Sequence, residues 1–239
     1  MLTNQDIKLI KSLGMKKNRV KHKLFVVEGP KGVQEFLDSD WQVEAVYAND
    51  QWLGKEAIPV TDKELERISF LQTPNKVLAV VKIPSSQFPI DGHTILALDG
   101  ISDPGNLGTI IRLADWFGVK HICCSPDVVD CFNPKVVQAT MGSLARIHLH
   151  YNPLVETLSS LNQYDLYGTV LNGRPFHSLS KSSKKVIVFG NESRGVSKDV
   201  LAMCHQKISI PKDQNSKAES LNVAMACGIC LSAGFSGEL

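Results

Sequence analysis

Apolar and polar positions along this chain follow two periods, and each period predicts its own element. Ile7, Ile10 and Leu13 recur at helical spacing, and Gly14 stops that helix. Leu24-Phe25-Val26-Val27-Glu28 reads as a strand, which Gly29-Pro30 turns into a helix with Val33, Phe36 and Leu37 inward. Further strands are predicted at 43–47 and 76–81, with a helix from Asp62 to Ser69 between them. Residues 1–83 thus form a small α/β unit with no catalytic constellation of its own. The Pro, Ser and Gly content of residues 84–92 marks a linker.

From residue 93 to 239 strands and helices alternate. Strands are predicted at 94–98, 121–125, 146–150, 166–171, 186–190 and 206–210. Helices are predicted at 106–117, 133–142, 153–161, 197–204 and 220–235. Such alternation predicts an α/β fold with a parallel sheet wrapped by helices. Continuous runs such as Val186-Ile187-Val188-Phe189 suit strands buried on both faces. The last helix is rich in small residues, among them Ala224, Ala226, Gly228 and Gly234, and suits close packing against the sheet or a second copy.

Composition adds bounds. The chain has 239 residues, 43% apolar and 21% charged, enough for one large or two modest soluble domains. No apolar run approaches the roughly 18 residues of a membrane span. The opening Met-Leu-Thr-Asn-Gln-Asp lacks a signal-peptide core, which predicts a cytoplasmic protein. Cys227-Gly-Ile-Cys230 has no second pair to complete a four-thiolate zinc site, so no metal is expected. The histidines show no partner pattern. Net charge is only +2, but residues 1–23 carry Lys8, Lys11, Lys16, Lys17, Arg19, Lys21 and Lys23 against the single acid Asp6. A solvated helix face and a phosphate-contacting arm both fit that run.

Candidate chemistry gathers in three loops that follow strands. The first runs from Asp99 to Arg112 (Asp-Gly-Ile-Ser-Asp-Pro-Gly-Asn-Leu-Gly-Thr-Ile-Ile-Arg). The second is Gly190-Asn191-Glu192-Ser193-Arg194-Gly195, and the third runs from Ile210-Pro211 to Ser220-Leu221-Asn222-Val223. In open α/β sheets ligands collect at the carboxyl ends of strands, so the three loops predict one site. No phosphate loop, dinucleotide fingerprint, Gly-x-Ser-x-Gly elbow or helical His pair is present, which removes the usual NTPase, oxidoreductase, hydrolase and metalloenzyme signatures. The loops offer a carboxylate, carboxamides, a hydroxyl, a guanidinium and backbone donors, a set that orients polar groups. Taken singly, Asn106 and Ser220 also suit helix N-caps, Arg112 a paired surface charge, and Glu192 a brace for its own turn.

In this order and at these strand ends, the loops resemble the three signature motifs of the SpoU/TrmH branch of the SPOUT methyltransferases. Residues 1–83 resemble the L30e-like substrate-binding domain that many members carry, whose usual opening matches Leu24 to Gly29 and the helix after it. The resemblance covers nearly the whole chain. It implies an S-adenosylmethionine-dependent RNA 2′-O-ribose methyltransferase acting on rRNA or tRNA, a homodimer, with a deep trefoil knot in residues 93–239. Carried over, Thr169, Gly190, Ile210 and Leu221 contact the cofactor. Asn106 and Arg112 position the ribose and its phosphate, Glu192 holds the second loop and Asn106, and Ser220 and Asn222 shape the site and aid transfer. Arg112 has the role of a base in family mechanisms; a guanidinium stays protonated, which favours clamping a phosphate. Lys16, Lys17, Arg19, Lys21 and Lys23 become candidate RNA contacts. The third loop departs from the family's Pro-Met-x-Gly, reading Pro211-Lys212-Asp213-Gln214 without that Gly, and Lys212 and Lys217 there are further candidates for RNA phosphate. The alternative is a non-catalytic RNA-binding protein of the same fold, for example a ribosome-assembly factor; the joint presence of Asn106, Arg112, Glu192, Ser220 and Asn222 argues against it.

Overall fold

Two kinds of apolar run build two sheets. A computed structural model describes residues 1–54, 56–84, 89–179 and 184–234. Residues 85–88 of the expected linker, and residue 235 at the expected end of the last helix, lie outside the described residues. In chain order the elements begin α1 (Asn4–Ser12), α2 (Lys16–His22), β1 (Leu24–Glu28), α3 (Pro30–Leu37), β2 (Val43–Ala48), β3 (Ile58–Pro59), α4 (Asp62–Ile68) and β4 (Val77–Lys82). They continue with β5 (Thr94–Asp99), α5 (Pro104–Trp116), β6 (His121–Cys124), α6 (Pro134–Thr140), β7 (His148–Tyr151), α7 (Leu154–Ser160) and β8 (Asp165–Pro175). The last are β9 (Lys185–Gly190), α8 (Lys198–Met203), β10 (Gln206–Ser209) and α9 (Val223–Gly234).

The chain divides into two compact units, one of Met1–Gln87 with Asp130–Arg146, the other of Phe88–Val129 with Ile147–Leu239. In the first unit the strand order is β1-β4-β2-β3, with β4 antiparallel to both β1 and β2, and β2 parallel to β3. The first five residues of β4, Val77 to Val81, are all buried, as expected of an inner strand between two neighbours. Capping boxes at Thr3/Asp6 and Thr61/Glu64 start α1 and α4. The stretch from Asp130 to Arg146 completes this unit's core. The Phe132 ring sits 4.7 Å from that of Phe25, and Trp41 Nε1 donates to the Ala145 carbonyl at 3.0 Å. Helix α2 and the two-residue strand β3 are additions to the sequence expectation.

The second unit is a six-stranded parallel sheet of order β10-β8-β9-β5-β6-β7. Ile95, Ala97, Val186 and Val188 share a buried cluster with Leu154, Leu158 and Val200, so α7 and α8 cover that face. By strand alternation Leu96, Leu98 and Ile187 point to the other face, where α9 packs on β9 and α5. The approach is close at Gly228, where a Cβ would be in van der Waals contact with the Leu113 side chain at 3.4 Å. The parallel sheet wrapped by helices agrees with the alternation in the sequence. Burial pushes the thiols of Cys123 and Cys230 up to about 12 and that of Cys227 higher still, consistent with packing rather than redox chemistry.

Two histidines that looked unrelated in sequence meet across β6 and β7. His121 Nδ1 lies 3.0 Å from His150 Nε2, and His121 Nε2 lies 2.9 Å from Asp91 Oδ1. Burial, with the neighbouring His121 and His148 adding to it, pushes His150 down to about 4, and burial likewise lowers His148. The folded state therefore favours neutral imidazole, while the unfolded chain takes up a proton near pH 6.5. The His150 contribution is present in full above about pH 6.5 and is lost as the pH falls towards 4, a loss of roughly 3 kcal/mol. Urea unfolding at pH 7.5, 5.5 and 4.5 is expected to show a steeper acid loss for wild type than for His150→Gln. Parallel curves for the two proteins contradict this assignment.

Candidate active site

The site begins with how the three loops leave the sheet. β5 and β9 are neighbours in register, with Asp99 opposite Gly190, so the first two loops emerge side by side. Asp99 Oδ2 accepts from the Ser197 backbone N–H at 2.7 Å, and Asn191 Nδ2 donates to the Gly100 carbonyl at 2.8 Å. Gly100 adopts φ +72°, in the left-handed region, and its N–H donates to Ser125 Oγ at 2.9 Å. Asp103, immediately before Pro104, is the N-cap of α5, its carboxylate accepting from the Asn106 N–H at 2.8 Å. Asn106 is therefore inside the first turn, not at the cap, and its side chain is available for other work.

That work is visible. Asn106 Nδ2 donates to Glu192 Oε1 at 2.7 Å, and Asn106 Oδ1 accepts from Asn222 Nδ2 at 2.8 Å. One carboxamide thus joins all three loops. The two bonds fix which end of the Asn106 amide is oxygen, because only nitrogen can donate to the carboxylate. Asn222 also serves as the N-terminal cap of α9, its Oδ1 accepting from the Ala224 and Met225 N–H groups at 2.9 and 3.3 Å. Asn222 thus takes the capping place that Ser220 suited from sequence. Ser220 is exposed two residues before it.

Arg112 is exposed on α5, six residues and about 9 Å of helix rise beyond Asn106. Asn106, Thr109 and Arg112 step at three-residue intervals along the less buried side of the helix. Of the candidate cofactor residues, Gly190 ends β9, Ile210 and Leu221 lie on the loop after β10, and Thr169 is inside β8, just past its pairing with β9. Thr169 Oγ1 donates to the Val188 carbonyl at 2.8 Å, next to the end of β9. Gly190 has no space for a side chain, since a Cβ there would come within 2.1 Å of Gly195 backbone. Ile210 is half-buried just past β10, and Leu221 is 52% exposed. Apolar side chains left bare beside polar strand ends suit a nucleoside with a polar tail, so the residues present fit S-adenosylmethionine.

The basic residues separate into two groups. Lys16, Lys17, Lys21 and Lys23 are exposed on and just after α2. Arg19 is not with them, being only 2% exposed. Its Nε and Nη2 donate to Asp130 Oδ2 at 3.0 and 2.6 Å, and its Nη1 to the Leu13 and Gly14 carbonyls at 2.8 and 3.0 Å. The expected RNA contact at Arg19 is corrected to an internal ion pair, because α2 turns that face inward. In the third loop Lys212 Nζ donates to the Ala218 carbonyl at 2.6 Å and closes the loop on itself, while Lys217 is exposed. Sequence reading also passed over Asp103 and Asn191. The Asp-Pro pair before an apolar helix was a readable signal for the first.

The chain is similar to known proteins over nearly its whole length. Residues 93–232 match the SpoU rRNA Methylase family, and residues 4–79 match the MRM3-like substrate binding domain. The 23S rRNA (guanosine(2553)-2'-O)-methyltransferase RlmP of Bacillus subtilis is 30% identical over 236 residues, covering 95% of this chain and 94% of the relative. A TrmH-family protein from Porphyromonas gingivalis superposes with a TM-score of 0.90 at 35% identity, covering 98% of each chain. An AdoMet-bound rRNA methyltransferase from Sinorhizobium meliloti superposes with a TM-score of 0.87 at 30% identity, covering 98% of this chain and 95% of the other. With its three strand-end motifs gathered by one carboxamide, this chain belongs to the SpoU rRNA methylase family.

Proposed function

We propose that this protein methylates a ribose 2′-OH of 23S rRNA, with a guanosine as the favoured target. At the level of reaction class it is an S-adenosylmethionine-dependent RNA 2′-O-ribose methyltransferase. The observation that carries the reading is the Glu192–Asn106–Asn222 chain. Relatives named as 23S rRNA guanosine 2′-O-methyltransferases support the target.

S-adenosylmethionine supplies an electrophilic methyl group on a sulfonium sulfur. Transfer of that methyl group to the ribose oxygen would leave S-adenosylhomocysteine and would require the hydroxyl proton to pass to solvent or a neighbouring acceptor. A ribose hydroxyl is a poor nucleophile, so its orientation is a large part of the rate. Asn106 keeps one amide hydrogen and one oxygen lone pair after its two bonds, a donor–acceptor pair suited to a 2′-OH. The 2′-OH also distinguishes RNA from DNA. Arg112 clamps the adjoining phosphate, and Ser220 shapes the approach to Asn222. Thr169, Gly190, Ile210 and Leu221 hold the cofactor.

The same reading includes a trefoil knot, a homodimer and a cytoplasmic location. For the knot, support comes from β10 being an edge strand while the chain after it returns to Asn106 and packs α9 on α5 and β9. For the dimer, Trp116 at 83% exposure and Met225 at 62% leave apolar surface on α5 and α9. No helix among the described residues is long and apolar enough to cross a membrane, which accords with the location. Residues 1–83, with 130–146 completing their core, act as the substrate-binding domain, and the remainder of 93–239 acts as the methyltransferase domain.

The test is incubation of rRNA from cells lacking the protein with purified enzyme and labelled S-adenosylmethionine, followed by mapping of the label. Label at one ribose 2′-O position of 23S rRNA supports the reading. Neither label nor cofactor binding turns it towards the RNA-binding alternative. In the same assay Lys16, Lys17, Lys21 and Lys23 are expected to contact phosphate. Replacing all four with Ala lowers affinity evenly across sequences and reduces the slope of log affinity against log salt by about 3. An unchanged slope removes the arm from the RNA interface.

A further inference from the structure

We propose that Asn191 is a positioning residue for methyl transfer, holding Glu192 at the angle at which it fixes Asn106. The inference rests on the proposed transfer at Asn106 and assigns a role to a residue that the motif comparison left without one.

Asn191 is half-buried, and its backbone and side chain are all engaged. Its N–H donates to the Gly195 carbonyl at 3.1 Å, and its carbonyl accepts from the Gly195 N–H at 2.8 Å. These two bonds close a three-residue loop holding Glu192, Ser193 and Arg194, with Gly195 in the left-handed region at φ +69°. Asn191 Oδ1 accepts from the Ser193 and Arg194 N–H groups at 2.9 and 3.1 Å, so the loop is braced from within. Asn191 Nδ2 donates to the Gly100 carbonyl, tying the braced loop to the first motif.

Glu192 is the residue directly after Asn191, so the brace fixes the backbone from which its carboxylate reaches Asn106. It is exposed, so no packing fixes it. Remove the brace and the backbone beneath Glu192 regains its freedom, so the carboxylate no longer starts from a fixed place and the Asn106 amide loses the partner that sets its direction. Gly100 is pinned from the other side by Ser125 Oγ, itself 2.5 Å from Asp127 Oδ1. The brace therefore connects to a fixed anchor rather than to a mobile loop. Asp cannot replace Asn, because Asp keeps the acceptor for Ser193 and Arg194 but sets a carboxylate against the Gly100 carbonyl.

The experiment compares wild type, Asn191→Ala, Asn191→Asp, Glu192→Ala and the Asn191→Ala/Glu192→Ala double variant. Single-turnover methylation is expected to fall about 10- to 100-fold in both Asn191 variants, with S-adenosylmethionine affinity within about 3-fold of wild type. The double variant is expected to be no slower than Glu192→Ala alone, because Asn191 acts through Glu192. A second readout does not depend on activity. The side-chain amide resonance of Asn106, assigned by its loss in Asn106→Ala, is expected to shift in Asn191→Ala towards its position in Glu192→Ala. An unmoved Asn106 resonance, or losses that multiply in the double variant, overturns the inference. A shifted resonance in a protein whose wild type methylates no RNA counts against the transfer reading and leaves the brace standing.

Discussion

Asn106→Ala is expected to lower the single-turnover rate of methylation about 10²- to 10³-fold, the range seen when one preorganised hydrogen-bonding group is removed from a reacting oxygen. The size follows from the two bonds that fix the amide, to Glu192 at 2.7 Å and Asn222 at 2.8 Å. They leave no freedom to flip, so the remaining donor and acceptor cost no reorganisation when ribose arrives. Stability is expected to change by less than about 1 kcal/mol, because Glu192 and Asn222 are exposed and water replaces the lost partner. Cofactor affinity stays within about 3-fold. Asn106→Asp keeps the volume but turns a second acceptor towards the Glu192 carboxylate, and an equal loss there assigns the effect to the hydrogen bonds. A rate within about 5-fold of wild type in either variant removes Asn106 from the reaction.

The second large effect is on stability. Arg19→Met is expected to destabilise the first unit by about 3–5 kcal/mol, the cost of breaking a buried pair by removing one partner. Asp130 would keep its charge at 14% side-chain exposure, and the Leu13 and Gly14 carbonyls would lose their donor. The melting temperature is expected to fall on the order of 10 °C. Adding Asp130→Leu is expected to recover part of that loss, since no unpaired carboxylate is then held largely out of solvent. A melting temperature unchanged in Arg19→Met contradicts the burial of this pair. RNA affinity measured below the transition is the informative control, because an internal arginine does not bear on it directly.

The sheets were legible because β-branched runs such as Val77 to Val81 and Val186 to Phe189 have little choice but to be strands inside a wrapped core. The three motif loops were legible for a related reason, since each begins where such a run stops. What stayed hidden depends on partners remote in sequence. Arg19 lies in a row of lysines, and only Asp130, 111 positions away, marks it as internal. Phe132 reads as part of the alternating second half, and its role appears only beside Phe25. Asn106 and Ser220 both suit caps by local propensity, yet Asp103 and Asn222 take those positions. Local rules identify residues able to cap, and the loop path selects among them. Histidines 121 and 150 belong to the same class, being joined only when β6 and β7 pair.

The membership of Asp130–Arg146 in the first unit has a consequence for modularity. Three places, not one, carry the chain from one unit to the other, so no single cut separates two self-sufficient pieces. A fragment ending at the linker would lack Phe132 against Phe25, the Ala145 acceptor for Trp41 and the Asp130 partner of Arg19. The complementary fragment would carry Val136 and Val137, both buried in the whole chain, without the core they fill. Dissection, fusion and recombination of these units therefore have to treat the segment from 130 to 146 as an exported part, made within one gene segment and installed in the product of another.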